Sequence, residues 1–227
     1  MQIPSSRSEL VALLENSSKL RPLFERVRGP GDGDAAHDSA HLLRVALWTC
    51  RILETPSLIE EGIAAALLHD LVNVPKNHPD RAKASEFSAN EARPLLEKSG
   101  FGKESLDRIC DAIRQHSFSR GERPTGPVGR ALQDADRLEA LGSIGIMRTY
   151  STGVRMGTKY FDPEDPWAKS RPLDDTKFSL DHFYTKLFLL PETMNTAAGR
   201  EEAGQRLRPM RAFMESLERE LGEMKES

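Results

Sequence analysis

The sequence predicts an all-α fold. Apolar residues recur at steps of three and four along most of the 227-residue chain, which is the spacing of a buried helix face. Glycine and proline clusters separate these stretches, and no run is a convincing strand. Hydrophobic residues make up 38% and charged residues 30%, a balance typical of amphipathic helices around one sizeable core.

The first three helices are predicted from apolar stripes and helix-ending residues. Residues 8–28 form the first, and the glycines of residues 29–33 end it. The second begins at Asp34 or Ala36 and has one stripe, formed by His41, Val45, Trp48 and Ile52. After a break at Pro56, Ser57 is the predicted N-cap of the third helix, which ends in His69-Asp70. Asp70 shares its stripe with apolar residues and therefore points inward.

The remaining elements are two loops, a long irregular segment and further helices. Residues 73–80 and 117–127 are predicted loops. The predicted helices are residues 81–98 (with a kink or a fresh start at Pro94), 103–116, 128–150, 178–190 and 192–223 (bent at Pro209). Residues 152–177 are rich in glycine and proline and contain Tyr160, Phe161 and Trp167. We interpret them as a long ordered surface loop and a candidate cover for a site.

Composition limits the class of protein. The chain has 32 Lys and Arg against 35 Asp and Glu, a net charge of −3, which gives no reason to expect nucleic-acid or membrane partners. The two cysteines, Cys50 and Cys110, lie in apolar helical patterns and are expected to be reduced core thiols. The N-terminal residues lack the apolar run of a signal peptide, and the apolar stretch at residues 63–68 is too short to span a bilayer. We therefore expect a cytoplasmic protein.

Inward-facing histidines and carboxylates on three predicted helices form a candidate metal site. Its members are His41, His69, Asp70 and one of Asp134 and Asp136. Buried carboxylates are rare without a partner, and mixed nitrogen and oxygen ligands suit a divalent ion such as Mn, Fe, Co, Ni, Zn or Mg. Asp134 and Asp136 diverge by about 200° on a helix, so both should not bind the same ion, and the helical wheel does not choose between them. A bound ion would activate water and polarise a phosphate oxygen.

Further polar residues near these motifs allow more than one interpretation. His116 is a base next to the site, a phosphate contact, or a histidine that ends a helix. Lys76 is a candidate phosphate ligand or solvated surface charge. His37 could line the pocket mouth, whereas Asp38 is predicted to cap the second helix. The reversed pair Asp181-His182 is interpreted as unrelated to the site.

The ordered motifs resemble those of the HD-domain metal-dependent phosphohydrolase superfamily. These motifs are His41-x-x-x-Val45-Ala, His69-Asp70 and Ala135-Asp136-Arg137-Leu138. Residues 64–71, 133–142 and 182–187 further resemble its small bacterial YpgQ/YedJ-like branch, which covers nearly the whole chain. The resemblance implies an HD-domain helical bundle with additional C-terminal helices. It also implies one divalent ion, with manganese favoured, held by His41, His69, Asp70 and Asp136, the last chosen over Asp134 by its Ala-Asp-Arg-Leu context.

On this basis we interpret residues 1–227 as a single domain. Its parts are a metal-binding core at about 34–150, the ordered loop at about 152–177, and C-terminal helices at about 178–224. The chain is expected to act as a monomer or a homodimer.

The resemblance implies hydrolysis of a phosphoric ester or anhydride bond in a small phosphorylated substrate, with a nucleotide expected. The hypothesis is cleavage like that of a nucleoside triphosphate pyrophosphohydrolase, in which a metal-bound water attacks phosphorus. Asp70 and His116 are the expected catalytic residues, and Lys76 and His37 the expected substrate contacts. The alternatives are a phosphomonoesterase such as a 5′-nucleotidase, and a nucleotide-binding sensor without turnover.

Overall fold

The structure is a computed structural model that describes residues 3–28, 39–72, 74, 78–117 and 121–222. Within these ranges the chain forms α-helices and short 3-10 turns, with an isolated backbone bridge between Lys159 and Phe178 and no strand. The all-α prediction is confirmed. The chain folds into two compact units, Met1–Asp136 and Arg137–Ser227. The interpretation of residues 1–227 as a single domain remains a prediction.

The described helices contain no candidate for a membrane span, since none of them is both long and apolar enough.

Helix α4 is the centre of the first unit. The helices there are α1 (Arg7–Asn16), α2 (Leu20–Val27), α3 (Ser39–Ile52), α4 (Ile59–Leu68), α5 (Ala84–Lys98), α6 (Lys103–Gln115) and α7 (Pro127–Leu138). Helix α4 packs against α2, α3, α5 and α6. Nearly all of its residues are buried, as expected for a helix that is apolar all round. The His69-Asp70 pair follows directly and is therefore anchored to the best-buried element of the unit.

A partly buried ion pair ties α4 to α6. The Glu61 side chain is 9% exposed and accepts hydrogen bonds from Arg108 Nε (2.8 Å) and Nη2 (2.7 Å) and from Ser105 Oγ (2.8 Å). Burial opposes ionisation of Glu61, but the bonds from Arg108 and Ser105 outweigh it and hold the pKa of this carboxyl below its usual value. The pair therefore fixes the first half of α6 against α4.

The predicted helix over residues 8–28 is wrong, because two helices are present. Ser17 has an extended backbone (φ −84°, ψ 125°), and its hydroxyl accepts a hydrogen bond from Leu20 N at 3.1 Å. Serine satisfies free backbone groups at a helix start in this way, so one residue both ends α1 and caps α2. The predicted cap at Ser57 is also wrong, since Pro56–Leu58 form a 3-10 turn and α4 starts without a side-chain cap.

Two proline and loop predictions can be compared with α5 and α6. Residues 81–83 form a separate 3-10 turn, and α5 continues through Pro94, so the helix makes no fresh start there. Helix α6 ends at Gln115, with His116 as its C-cap, which confirms the prediction for residues 103–116.

Both cysteines are free and buried, also as predicted, and burial raises the pKa of Cys50 to about 12.

The second unit is built around α8 and α10. Its helices are α8 (Gly142–Met156), α9 (Asp181–Thr185) and α10 (Ala197–Glu220), with a 3-10 turn at Leu187–Thr193. Helix α10 packs against α8, and the Phe183 ring stacks on that of Phe213 with centroids 6.0 Å apart. Thr196 caps α10 by accepting a hydrogen bond from Gly199 N at 2.9 Å. The predicted helices at 178–190 and 192–223 are therefore wrong in their bounds.

The predicted helix over residues 128–150 is interrupted between Leu138 and Gly142. Gly142 has a φ of +71°, a value that residues with a side chain rarely adopt, and α8 begins there. The Leu138 carbonyl, at the end of α7, accepts hydrogen bonds from Leu141 N at 3.0 Å and from Arg206 Nη1 at 2.6 Å, so it has partners although the regular helix stops there.

The irregular segment begins later than predicted, because α8 extends to Met156. Arg171 organises the segment: its Nη1 and Nη2 donate to the two carboxylate oxygens of Asp181 at 2.6 and 2.8 Å, and its guanidinium lies over the Phe178 ring at 4.5 Å. Asp165 accepts hydrogen bonds from the backbone of Lys169 and Ser170. These contacts link residues 165–181 to one another, and a long ordered loop over residues 152–177 that covers a site remains a prediction.

Candidate metal centre

Two histidines end helices in the same way. His69 is the C-cap of α4, and its Nδ1 lies 2.8 Å from the Ala66 carbonyl oxygen; His116 is the C-cap of α6, and its Nδ1 lies 2.6 Å from the Ile113 carbonyl oxygen. A carbonyl only accepts, so Nδ1 is the donor in both rings. Each neutral imidazole therefore presents Nε2 as its lone-pair atom, the arrangement that suits a metal ligand or a base.

The predicted ligands meet at one point of the first unit. The Asp70 Oδ2 atom lies 3.4 Å from His69 Nε2 and 3.9 Å from His41 Nε2. The Asp136 Oδ1 atom lies 3.7 Å from His41 Nε2 and 3.8 Å from His69 Nε2. Both histidines are fully buried, whereas the two carboxylates are about 30% exposed. The cluster is thus walled by imidazoles and open at the carboxylates.

His116 lies on the other side of Asp70. Its Nε2 is 3.7 Å from Asp70 Oδ1, and its ring is edge-on to that of His69 with centroids 4.8 Å apart. Both oxygens of Asp70 therefore border the histidines of the cluster: Oδ2 lies near His41 and His69, and Oδ1 lies near His116.

The spacing of these atoms fits a shared cation. Donor atoms of His41, His69 and Asp136 all lie within 4.8 Å of one another, and so do those of His69, Asp70 and His116. Two ligands bound to one ion at about 2.1 Å lie about 3–4 Å apart, which is the range seen here. In addition, the buried Nε2 of His69 has no hydrogen-bond partner among the described residues. A buried lone pair directed at two carboxylates calls for a cation or a proton.

The charge balance of the cluster favours a cation as well. Burial lowers the pKa of His69, but the carboxylates of Asp70 and Asp136 outweigh it and raise this pKa from 6.5 to about 9. The field at His69 Nε2 therefore attracts positive charge even in a buried position.

The structure separates the two candidate aspartates of α7. Asp136 faces both histidines, whereas Asp134 is fully buried and belongs to neither group of donor atoms. This agrees with the divergence of about 200° expected for positions two apart on a helix.

Several other predicted residues stand apart from the cluster or outside the described part of the chain. His37, Asp38 and Lys76 lie outside the described residues. Asp181 is engaged with Arg171, and His182 Nδ1 lies 2.8 Å from Asp175 Oδ2. These contacts give the reversed pair roles within the second unit.

Sequence reasoning missed one buried polar side chain near the cluster. Gln133 is fully buried on α7, and its Nε2 donates to the carbonyls of Gln115 and Glu122. The available signal was its position three residues before Asp136, which places both on one face of α7.

Comparisons with known proteins identify the family. The HD domain family matches residues 39–141, a range that contains the whole cluster. The Bacillus subtilis (strain 168) protein YpgQ, described as uncharacterized, is 34% identical over 199 residues, which cover 84% of this chain and 87% of YpgQ. The chain therefore belongs to the HD-domain superfamily, and it is similar to YpgQ along most of its length. The resemblance inferred from the motifs is confirmed.

Solved structures agree with this assignment. The crystal structure of B. subtilis YpgQ in complex with ADP matches with a TM-score of 0.68 and 30% identity, over 89% of this chain and 96% of that one. An HD-superfamily hydrolase from Bacillus thuringiensis matches with a TM-score of 0.66 and 28% identity, over 96% of this chain and all (100%) of that one. The HD-domain helical fold is confirmed, and the chain is related to a group that includes predicted hydrolases.

Proposed function

We propose that this protein is a divalent-metal-dependent phosphohydrolase that cleaves a nucleotide. The observation that carries the proposal is the convergence of four side chains, His41, His69, Asp70 and Asp136, with nitrogen–oxygen distances of 3.4 to 3.9 Å. Such a cluster of nitrogen and oxygen ligands, without cysteine, is typical of a catalytic rather than a structural metal site.

The four side chains would hold one ion, with manganese favoured by the family resemblance and Fe, Co, Ni, Zn or Mg also compatible with the donors. When bound, such an ion lowers the pKa of a water ligand and polarises a phosphate oxygen. The partial exposure of Asp70 and Asp136, 26% and 31%, leaves the open side of the cluster accessible to substrate and water.

Asp70 would orient a water molecule, and His116 would transfer a proton. The Oδ1 atom of Asp70 lies 3.7 Å from His116 Nε2, so it can orient a water next to His116 by accepting a hydrogen bond. Because Nδ1 of His116 is held by the Ile113 carbonyl, Nε2 is the atom that takes up a proton from water or returns it to the leaving group.

A nucleotide substrate is supported by the related YpgQ, whose structure was solved with ADP. The reaction we propose is attack of water on the α-phosphorus of a nucleoside triphosphate. The bond to the bridging oxygen breaks, and a monophosphate and pyrophosphate are released. Lys76 and His37 remain proposed substrate contacts.

A panel of nucleoside mono-, di- and triphosphates tests the proposal, with Mn²⁺ supplied and pyrophosphate and orthophosphate read separately. Pyrophosphate from triphosphates, lost in His69→Ala, is the expected result. Orthophosphate from monophosphates would replace the proposal with a 5′-nucleotidase. Tight nucleotide binding without any product, across several metals, would replace it with a sensor.

A further inference from the structure

Gln133 lies inside the first unit and joins α7 to the segment that follows α6. Its residue surface is fully buried, and its Nε2 donates to the Gln115 carbonyl at 3.0 Å and to the Glu122 carbonyl at 3.2 Å. An amide nitrogen has two hydrogens, so both are used on two separate parts of the chain.

These two carbonyls belong to described stretches of chain on either side of residues 118–120. Gln115 is the last residue of α6, and Glu122 lies in the irregular segment that leads to α7. A third hydrogen bond joins the same two stretches of chain, because Thr125 N donates to Gln115 Oε1 at 3.2 Å. Helix α7 also packs closely against the segment that precedes it, since a Cβ on Gly129 would lie 2.9 Å from Pro124 Cβ.

The bond to Gln115 acts directly on the orientation of His116. The Gln115 carbonyl and the His116 amide belong to one planar peptide group, so holding the oxygen fixes the plane from which the His116 side chain departs. The His116 ring is then held at Nδ1 by Ile113, and its Nε2 faces Asp70 Oδ1 at 3.7 Å. Gln133 and Asp136 lie three residues apart on α7 and therefore share one face of the helix. That face positions both the Asp136 carboxylate of the cluster and the peptide group that precedes the His116 side chain.

From this geometry we propose that Gln133 is a positioning residue that holds His116 against Asp70 through the Gln115–His116 peptide. The proposal rests on the proposed function for its catalytic consequence, but its structural part stands on the hydrogen bonds alone.

The test compares Gln133→Met, which keeps the length and removes both donors, with Arg108→Met as a matched control. Arg108→Met also removes side-chain hydrogen bonds between α6 and another helix, here to Glu61 of α4, but it does so in the first half of α6, away from Gln115. For each variant, kcat, KM and Mn²⁺ affinity are measured, alone and together with His116→Ala. Amide hydrogen exchange of residues 115–125 is measured in parallel.

We expect Gln133→Met to lower kcat about tenfold or more, with KM and Mn²⁺ affinity changed less than about threefold. In the His116→Ala background it should have no further effect on kcat, because the two residues act through one group. Exchange in residues 115–125 should accelerate in Gln133→Met and not in Arg108→Met.

Three results would overturn the proposal. They are an unchanged kcat in Gln133→Met, an equal loss of kcat with and without His116, and unchanged exchange in residues 115–125. If His116→Ala turns over too slowly to measure, the exchange result and the kcat of the single variants decide. If wild-type protein yields no product from the nucleotide panel, the proposed function fails, and exchange alone decides whether Gln133 holds the segment.

Discussion

The side chains of Asp134 and Asp136 show how two positions on one helix turn acquire different roles. Both are acidic and both lie in the same motif, yet Asp136 faces His41 and His69 whereas Asp134 is fully buried elsewhere. The sequence pattern alone left this choice open. The family resemblance selected Asp136, and the structure brings the same residue to the cluster.

This difference predicts opposite results for two isosteric variants. Asp136→Asn removes a carboxylate from the cluster, so Mn²⁺ affinity should fall by about 100-fold or more. Asp134→Asn should leave the affinity of the folded protein within about threefold, whatever it costs in thermal stability. Titration with Mn²⁺, together with circular dichroism to confirm folding, measures both. A larger loss of affinity in Asp134→Asn would mean that the ligand is assigned to the wrong aspartate.

At the scale of helices, the bridge between α4 and α6 links stability to pH. In Arg108→Met the buried Glu61 carboxylate loses its partner, so the free energy of unfolding at about pH 7 should fall by about 1–3 kcal/mol. The folded-state pKa of Glu61 is lowered from its usual 4.5, so the contribution of the bridge is complete above that pH and is lost as the pH falls through the folded value.

Urea denaturation of wild type and Arg108→Met at about pH 7 and about pH 3 measures this effect. The difference between the two proteins should shrink on acidification. A difference of the same size at both pH values would show that packing, and not the ion pair, accounts for the loss.

Two helical glycines of the second unit have opposite surroundings. A Cβ on Gly145 would lie 2.3 Å from the Ala140 carbonyl oxygen, whereas a Cβ on Gly204 of α10 would meet nothing within 4 Å. Gly145→Ala should therefore destabilise the protein by about 1–3 kcal/mol through overpacking against backbone. Gly204→Ala should stabilise it by about 0.5–1 kcal/mol, because alanine is the better helix former. Thermal unfolding of the two variants gives the comparison, and equal shifts of Tm would refute it.

The helix bounds also show where sequence patterns carry too little information. The apolar spacing predicted helices at residues 8–28 and 128–150, and apolar residues do recur through both ranges. The breaks depend instead on the Ser17 hydroxyl reaching Leu20 N and on Gly142 adopting a positive φ. Neither residue disturbs the hydrophobic period, so periodicity alone could not locate these ends.

At the scale of the whole molecule, the cluster is assembled from residues far apart in the chain. His41, the His69-Asp70 pair and Asp136 come from α3, the end of α4, and α7. Their inward positions were predictable because a carboxylate on an apolar stripe is unusual. The place of Gln133 was not predictable, since its role depends on where the carbonyls of Gln115 and Glu122 come to lie after folding.

The central claim is that this cluster binds a divalent ion, and the most direct measurement is calorimetric titration of Mn²⁺ into metal-free protein. Wild type is compared with His69→Ala and with His182→Ala, a matched control whose histidine pairs with Asp175 in the second unit. We predict about one equivalent bound by wild type and by His182→Ala, and affinity reduced at least about 100-fold in His69→Ala. Equal binding by wild type and His69→Ala would contradict the account.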